Sequence, residues 1–361
     1  MSAASSPVHD LDPLRRRLIE RLPKAELHLH LEGSVEPELA LALARKHGKR
    51  LPGDEAGVEG LRRNYVFKDF GDFLRMYLAI SACLTDEDDF AAIVVDLARK
   101  LAADNVRYAE VTFTPMTHVN RGVAGDTLLA GLAEGRARAR AEHGVELAWV
   151  FDIVRHRFAE GEPTLALALE GREVGVIGLG FAGPESPQWP TAPYAPLFAR
   201  ARAEGLRSLP HAGEMDGPSS VWSALRELGA ERIGHGVQCL ADPALVEHLR
   251  EHRVPLEVCP TSNVGIGLYP ALAGHPLPQL LAAGLQVSLA SDDPPMFATS
   301  LGEEYRRCTA AFGWDAPQIA ALARNSVEHS FMPAEAKARL LAEQAAVLAE
   351  LRPFAGAGEC D

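Results

Sequence analysis

The chain reads as an α/β protein folded as a (β/α)8 TIM-type barrel, with extra helices after the first strand and at the C-terminus. Three observations predict this. Eight short apolar runs alternate with Ala/Leu/Arg-rich segments of helical period, which is the pattern of a parallel sheet joined by crossover helices. Eight such units suit a closed barrel better than an open sheet. Polar residues interrupt the apolar runs at their C-terminal ends, the rim on which barrel active sites are built.

The expected strands are residues 25–31, 107–114, 146–154, 174–181, 206–212, 232–235, 255–259 and 286–291. Helices are expected over 126–143, 163–172, 195–204, 219–228, 243–251 and 276–283. Residues 36–104 form a helical insert in which Phe67, Phe70, Phe73, Met76 and Tyr77 make one apolar face. Aromatics in such a face usually pack as core, and at a barrel mouth they also serve as a lid. The runs 316–326 and 333–351 read as packing helices, and the proline-dense stretch 184–196 falls where a βα loop belongs. A length of 361 residues admits one large barrel or two ordinary domains. With no internal repeat and no low-complexity linker, one domain over 1–361 is expected, loose before about residue 16 and disordered from 356 onward.

Hydrophobic residues at 47% and charged residues at 24% suit a soluble globular protein with a sizeable core. Lys and Arg total 36 against 49 Asp and Glu, a net −13. That excess repels a polyphosphate backbone, so nucleic acid is not an expected partner. Residues 1–13 lack the basic start and apolar run of a secretory signal, and no apolar stretch is long and charge-free enough to span a bilayer. Cys83, Cys239, Cys259, Cys308 and Cys360 are odd in number and contain no C-x-x-C pair. They read as reduced thiols of a cytoplasmic protein without a membrane partner, with Cys360 in a frayed tail.

The chemistry begins in the stretch Leu22 to Ser34. Strand side chains alternate faces, so His28 and His30 point the same way while Leu27, Leu29 and Leu31 pack behind them. Downstream, His211-Ala212-Gly213-Glu214 follows the fifth strand, Ile233-Gly234-His235-Gly236 the sixth, and Ser291-Asp292-Asp293-Pro294 the eighth. Any one of these is accidental often enough; four on one rim are not. His28, His30, His211 and Asp292 supply three neutral imidazoles and a carboxylate, a set that suits a catalytic zinc, although iron, manganese and cobalt take the same ligand types. Glu214 is then a proton donor to the substrate, His235 orients or deprotonates the attacking water, and Asp293 holds that water or accepts from the substrate ring. A two-metal site needs a bridging group on the fourth strand, commonly a carboxylated lysine, and residues 174–183 contain no lysine. One Zn2+ per chain is expected. Of the other histidines, His47, His143, His248 and His252 are expected to be solvated on helices, His156 to line the pocket, and His118 to lie on the rim or in a loop.

Pro-Lys-Ala-Glu-Leu-His-Leu-His-Leu-Glu-Gly-Ser, His-Ala-Gly-Glu, Ile-Gly-His-Gly, Val-Cys-Pro-Thr-Ser-Asn (258–263) and Ser-Asp-Asp-Pro together resemble the adenosine deaminase family, in its order and over about residues 22–295. The resemblance implies a mononuclear zinc barrel that replaces the 6-amino group of a purine by a 6-oxo group and releases ammonia. It implies that Glu214 protonates ring N1 while the activated water attacks C6, that His235 steadies this water, and that Asp293 meets N7. Phe181-Ala182-Gly183-Pro184-Glu185 is similar to the family's Leu-Ala-Gly-Asp-Glu turn, so Gly183 is implied to meet purine N3; Pro184 departs from that turn. Glu32 stands where nucleoside-specific animal members carry an aspartate near the ribose 5′-hydroxyl, and bacterial relatives, adenine deaminases among them, carry glutamate there. The substrate-binding set so implied is His30, Glu32, Gly183 and Asp293. The Cys-Pro-Thr-Ser-Asn segment is closer to nucleoside members than to the Cys-Pro-Leu-Ser-Asn of adenine deaminases. A purine nucleoside is therefore the expected partner, with adenosine converted to inosine; aminodeoxyfutalosine, a nucleoside with a bulky 5′ extension, and free adenine are the alternatives.

Overall fold

The computed structural model describes residues 11–355, with side chains through residue 351. The expected tail from 356, with Cys360, lies outside the described residues. Eight parallel strands occur in the order β1 to β8: Lys24–His30, Val106–Phe113, Glu146–Val154, Val176–Ala182, Arg207–Ala212, Ile233–His235, Leu256–Val258 and Val287–Leu289. They match the eight expected runs, with ends moved by one or two residues. β4 starts later because residues Gly171–Val174 make a 3-10 turn that ends on the left-handed Gly175. The short strands β6 to β8 stop where their residues leave the ladder to form the rim.

The seam between β8 and β1 is closed only at the top. There the His30 N–H donates to Asp292 O at 2.9 Å and the Asp292 N–H donates to His28 O at 3.1 Å. The residues expected to bind metal are thus also the ones that close the barrel.

Helices surround the strands, as right-handed crossovers require. The insert folds as helices Pro37–Lys46, Gly57–Arg63, Phe70–Ser81 and Glu87–Ala103. Phe73, Met76 and Tyr77 are buried, and Phe67 and Phe70 pack against them. The ring of Phe73 stacks on Phe297 at 5.4 Å, which fixes the insert against the loop after β8. Helices Leu301–Phe312, Ala316–Glu328 and Ala334–Ala355 complete the chain. Among the described residues no helix is long and apolar enough to cross a membrane, and Cys83, Cys239, Cys259 and Cys308 are free and buried.

Three expectations are corrected. The lead-in is a helix from Pro13, because Asp12 caps its first turn by accepting from the Leu14 and Arg15 N–H groups. His47 is not solvated: at the end of helix Pro37–Lys46 it reaches Asp89 Oδ2 at 2.8 Å. His118 is fully buried in the short helix Pro115–Val119, stacked on Phe113 at 5.3 Å.

Candidate active site

The pleat of β1 turns Glu26, His28 and His30 to the barrel interior. His211 comes from the end of β5 and Asp292 from the turn just past β8. The ligating atoms of His28, His30, His211 and Asp292 all lie within 4.8 Å of one another. His30 Nε2 is 3.2 Å from His211 Nε2 and 3.3 Å from Asp292 Oδ1, and His28 Nε2 is 3.5 Å from the same oxygen. His28 Nε2 is buried without any hydrogen-bond partner. A divalent cation satisfies all four atoms at once, so the donor set fits a metal.

Asp292 and His235 hold left-handed backbone conformations, with φ of 66° and 62°. Such angles cost energy for residues with a Cβ and collect at functional sites. Here they turn the Asp292 carboxylate and the His235 ring inward, past the ends of their strands.

The electrostatics divide the site into unlike parts. Burial alone would lower His28, yet the Asp292 carboxylate near its Nε2 and the Glu257 carboxylate bonded to its Nδ1 push it up to about 10. His30 is likewise buried, and Asp293 and Asp292 raise it to about 9. His211 is held well below its ordinary value by burial and by the cationic character of His28 and His30, and burial lowers His235 to about 3. Asp292 stays ionised, held far down by its imidazole partners against the effect of burial. Glu214 and Asp293 move the other way: burial, then the Asp292 charge, raises both well above the carboxylate range. A carboxylic acid that keeps its proton at neutral pH is what a general acid requires.

A shell of buried partners holds these groups. His28 Nδ1 donates to Glu257 Oε2 at 2.8 Å, and Glu257 is tied in turn to Arg232 Nε at 2.5 Å. Ser262 Oγ donates to Asp292 Oδ2 at 2.5 Å. Asn263 Nδ2 lies 3.4 Å from Glu214 Oε1 and 3.3 Å from His235 Nδ1, with its own oxygen held by His275 Nε2 at 3.1 Å. Arg155 joins the tops of three strands, donating to Gly183 O at 3.1 Å and His211 O at 2.9 Å.

The cluster forms the floor of a cavity that opens to solvent. His30, His211, Glu214, His235, Asp292, Asp293 and Gly183 all border it. Gly183 has φ of 93°, which leaves its backbone facing the cavity without a side chain. Phe70, Phe73 and Tyr77 from the insert form the opposite wall, and His156 borders the cavity as expected. His28 lies beneath. Glu32 is placed differently from its expected role. The 3-10 turn Glu32–Ser34 swings it under the floor, fully buried, where the Thr114 N–H donates to it at 3.1 Å and His118 Nε2 lies at 3.2 Å. It does not border the cavity.

Sequence reasoning missed Glu257, Asp152, Glu185 and the Asn263–His275 pair. A signal was present for the first two: each is an acid flanked by apolar residues within its strand, Leu-Glu-Val in β7 and Phe-Asp-Ile in β3.

The profile of the family described as Adenosine deaminase matches residues 23–347. The chain belongs to the adenosine deaminase family. It is 43% identical over 329 residues to the aminodeoxyfutalosine deaminase of Streptomyces avermitilis, covering 90% of this chain and 91% of that protein. The adenine deaminase of Cupriavidus necator is 42% identical over 335 residues, covering 92% and 94%. Among solved structures, the adenine deaminase AAur1117 from Arthrobacter aurescens superposes with a TM-score of 0.86 at 36% identity, covering 91% of this chain and 99% of its own. As a member of this family the chain is a deaminase, a hydrolase of C–N bonds in cyclic amidines. The expectation of adenosine itself is overtaken: these relatives carry the names of the two alternatives, and neither is an adenosine deaminase.

Proposed function

We propose that this chain binds one zinc ion through His28, His30, His211 and Asp292 and hydrolytically deaminates a 6-aminopurine bearing a long N9 substituent, of the aminodeoxyfutalosine class. The observation that carries the reading is the convergence of those four side chains beside Glu214 at the base of one cavity. When bound, the ion supplies an acidified water as nucleophile. Glu214, its carboxyl raised well above the ordinary range by burial, donates its proton to ring N1 and so makes C6 electrophilic. His235, kept neutral by burial, steadies the attacking water, and Asp293, whose carboxyl burial holds well above the carboxylate range, donates its proton in a hydrogen bond to N7 of the purine. The N–H of Gly183 meets N3, and Phe73 and Tyr77 screen the reacting carbon from bulk water.

The likeness to the aminodeoxyfutalosine deaminase of S. avermitilis, 43% identical over 90% of this chain, supports the larger substrate. Free adenine is the second reading, favoured by the likeness to the adenine deaminases of C. necator and A. aurescens. Metal-replete protein offered aminodeoxyfutalosine, adenine and adenosine in parallel, with ammonia release as the readout, separates the readings. A kcat/KM at least tenfold higher for aminodeoxyfutalosine is expected. No ammonia from any of the three ends the proposal.

A further inference from the structure

Asp152 is fully buried on β3, and both of its carboxylate oxygens lack a hydrogen-bond partner. It sits in register with Gly180 of β4. A Cβ at Gly180 would come within 1.8 Å of Asp152 Oδ1, so this carboxylate fills the space that a side chain at position 180 would need. In register, His30 lies level with Thr112 of β2 and Val150 of β3, and Asp152 stands on the same face of β3 two residues further along; of the imidazoles, His30 and His28 act on its charge. An unpaired carboxylate in a barrel core is a cost to the fold, and nothing in the packing of β3 repays it.

The four metal-facing side chains are unequally supported. His28 turns its outer nitrogen to Glu257, and Asp292 turns its second oxygen to Ser262. His30 and His211 direct Nε2 into the cluster, and among the described residues neither Nδ1 makes a hydrogen bond, that of His211 being buried as well. Ligating histidines ordinarily give their outer N–H to a carboxylate, a carbonyl or a water, which fixes ring and tautomer. An orphaned carboxylate therefore stands on the inner face of β3 one step along the strand from the level of an unsupported ligand.

We propose that Asp152 is the positioning residue for His30, taking the proton on its outer nitrogen directly or through one water when the ion is bound, as Glu257 does for His28. This rests on the metal-binding part of the proposed function and not on the identity of the purine.

The test is zinc affinity by chelator competition, with the thermal midpoint of the metal-free protein read in parallel. Asp152→Asn is expected to bind zinc 10- to 100-fold more weakly, while the metal-free protein melts at the same or a higher temperature. The pair Asp152→Ala with Gly180→Asp returns a carboxylate to the same space from β4 and is expected to recover at least part of the lost affinity, where Asp152→Ala alone does not. Zinc affinity of Asp152→Asn within twofold of the parent overturns the proposal. So does an Asp152→Asn chain that melts lower or fails to fold, since the carboxylate would then be structural. Failure of the parent itself to bind zinc would instead strike the proposed function.

Discussion

Glu257 on β7 holds the ring of His28 on β1 across the barrel interior, with 2.8 Å between Oε2 and Nδ1. The same carboxylate is bonded to the fully buried Arg232, whose other edge is paired with Glu110. One metal-facing imidazole is thus anchored to a charge network running toward the bottom of the barrel.

Glu257→Gln keeps the size of the side chain but removes its charge. Zinc affinity should fall about 10- to 100-fold, measured by competition with a chelator. Glu257→Ala should also destabilise the fold by about 3–5 kcal/mol, because Arg232 loses one of its buried partners. Urea unfolding that shows no loss would mean that the network contributes nothing.

Glu214→Gln should reduce kcat by about 10²- to 10⁴-fold, since the amide has no acidic proton to give. Metal content should be unchanged, because Glu214 lies outside the four-atom cluster. Full activity in this variant would point to a hydrolase of another substrate that needs no such donor.

Glu185 gathers the backbone of the loop that carries Glu214. Its carboxylate accepts from the N–H groups of Gly213, Glu214, Met215 and Asp216, at 2.6–3.0 Å, and from Ser220 Oγ. In Glu185→Gln the side-chain NH2 confronts donors instead. Hydrogen exchange over residues 213–216 should quicken, and kcat should fall up to about 100-fold with KM little changed, as expected when an acid is misplaced by about 1 Å.

Glu304 is fully buried on helix Leu301–Phe312, where it accepts from Thr299 Oγ1 at 2.6 Å and the Thr261 N–H at 3.2 Å. Burial raises it to about 7 from an ordinary 4.5. Between those values the folded chain binds a proton that the unfolded chain has released. Its contribution to stability is therefore present below pH 4.5 and is lost as pH rises toward 7. Glu304→Gln should flatten this dependence, gaining on the order of 3 kcal/mol relative to the parent between pH 4.5 and pH 8. Equal slopes for the two proteins in urea titrations across that range would count against it.

The barrel was legible because its signals are local. Strand alternation put His28 and His30 on one face before any contact was known, and β3 was expected at the bounds it adopts. The rim motifs at 211–214, 235 and 292–293 were legible for the same reason, since each lies at a strand end. His47 and His118 were not, because a single histidine carries no sign of whether an acid will fold against it.

What the order of residues determined by itself was the set of candidate ligands and the kind of fold that gathers them: periodicity and strand-end position are properties of short stretches. Tertiary structure alone decided that Glu32 turns beneath the floor, that Asp292 closes the seam onto β1, and that Glu257 meets His28 from a distant strand. Those relationships depend on which inward-facing layer each side chain occupies once eight strands are wound together. That is set by register and by backbone angles such as the left-handed turn at Asp292, which no short stretch of sequence encodes.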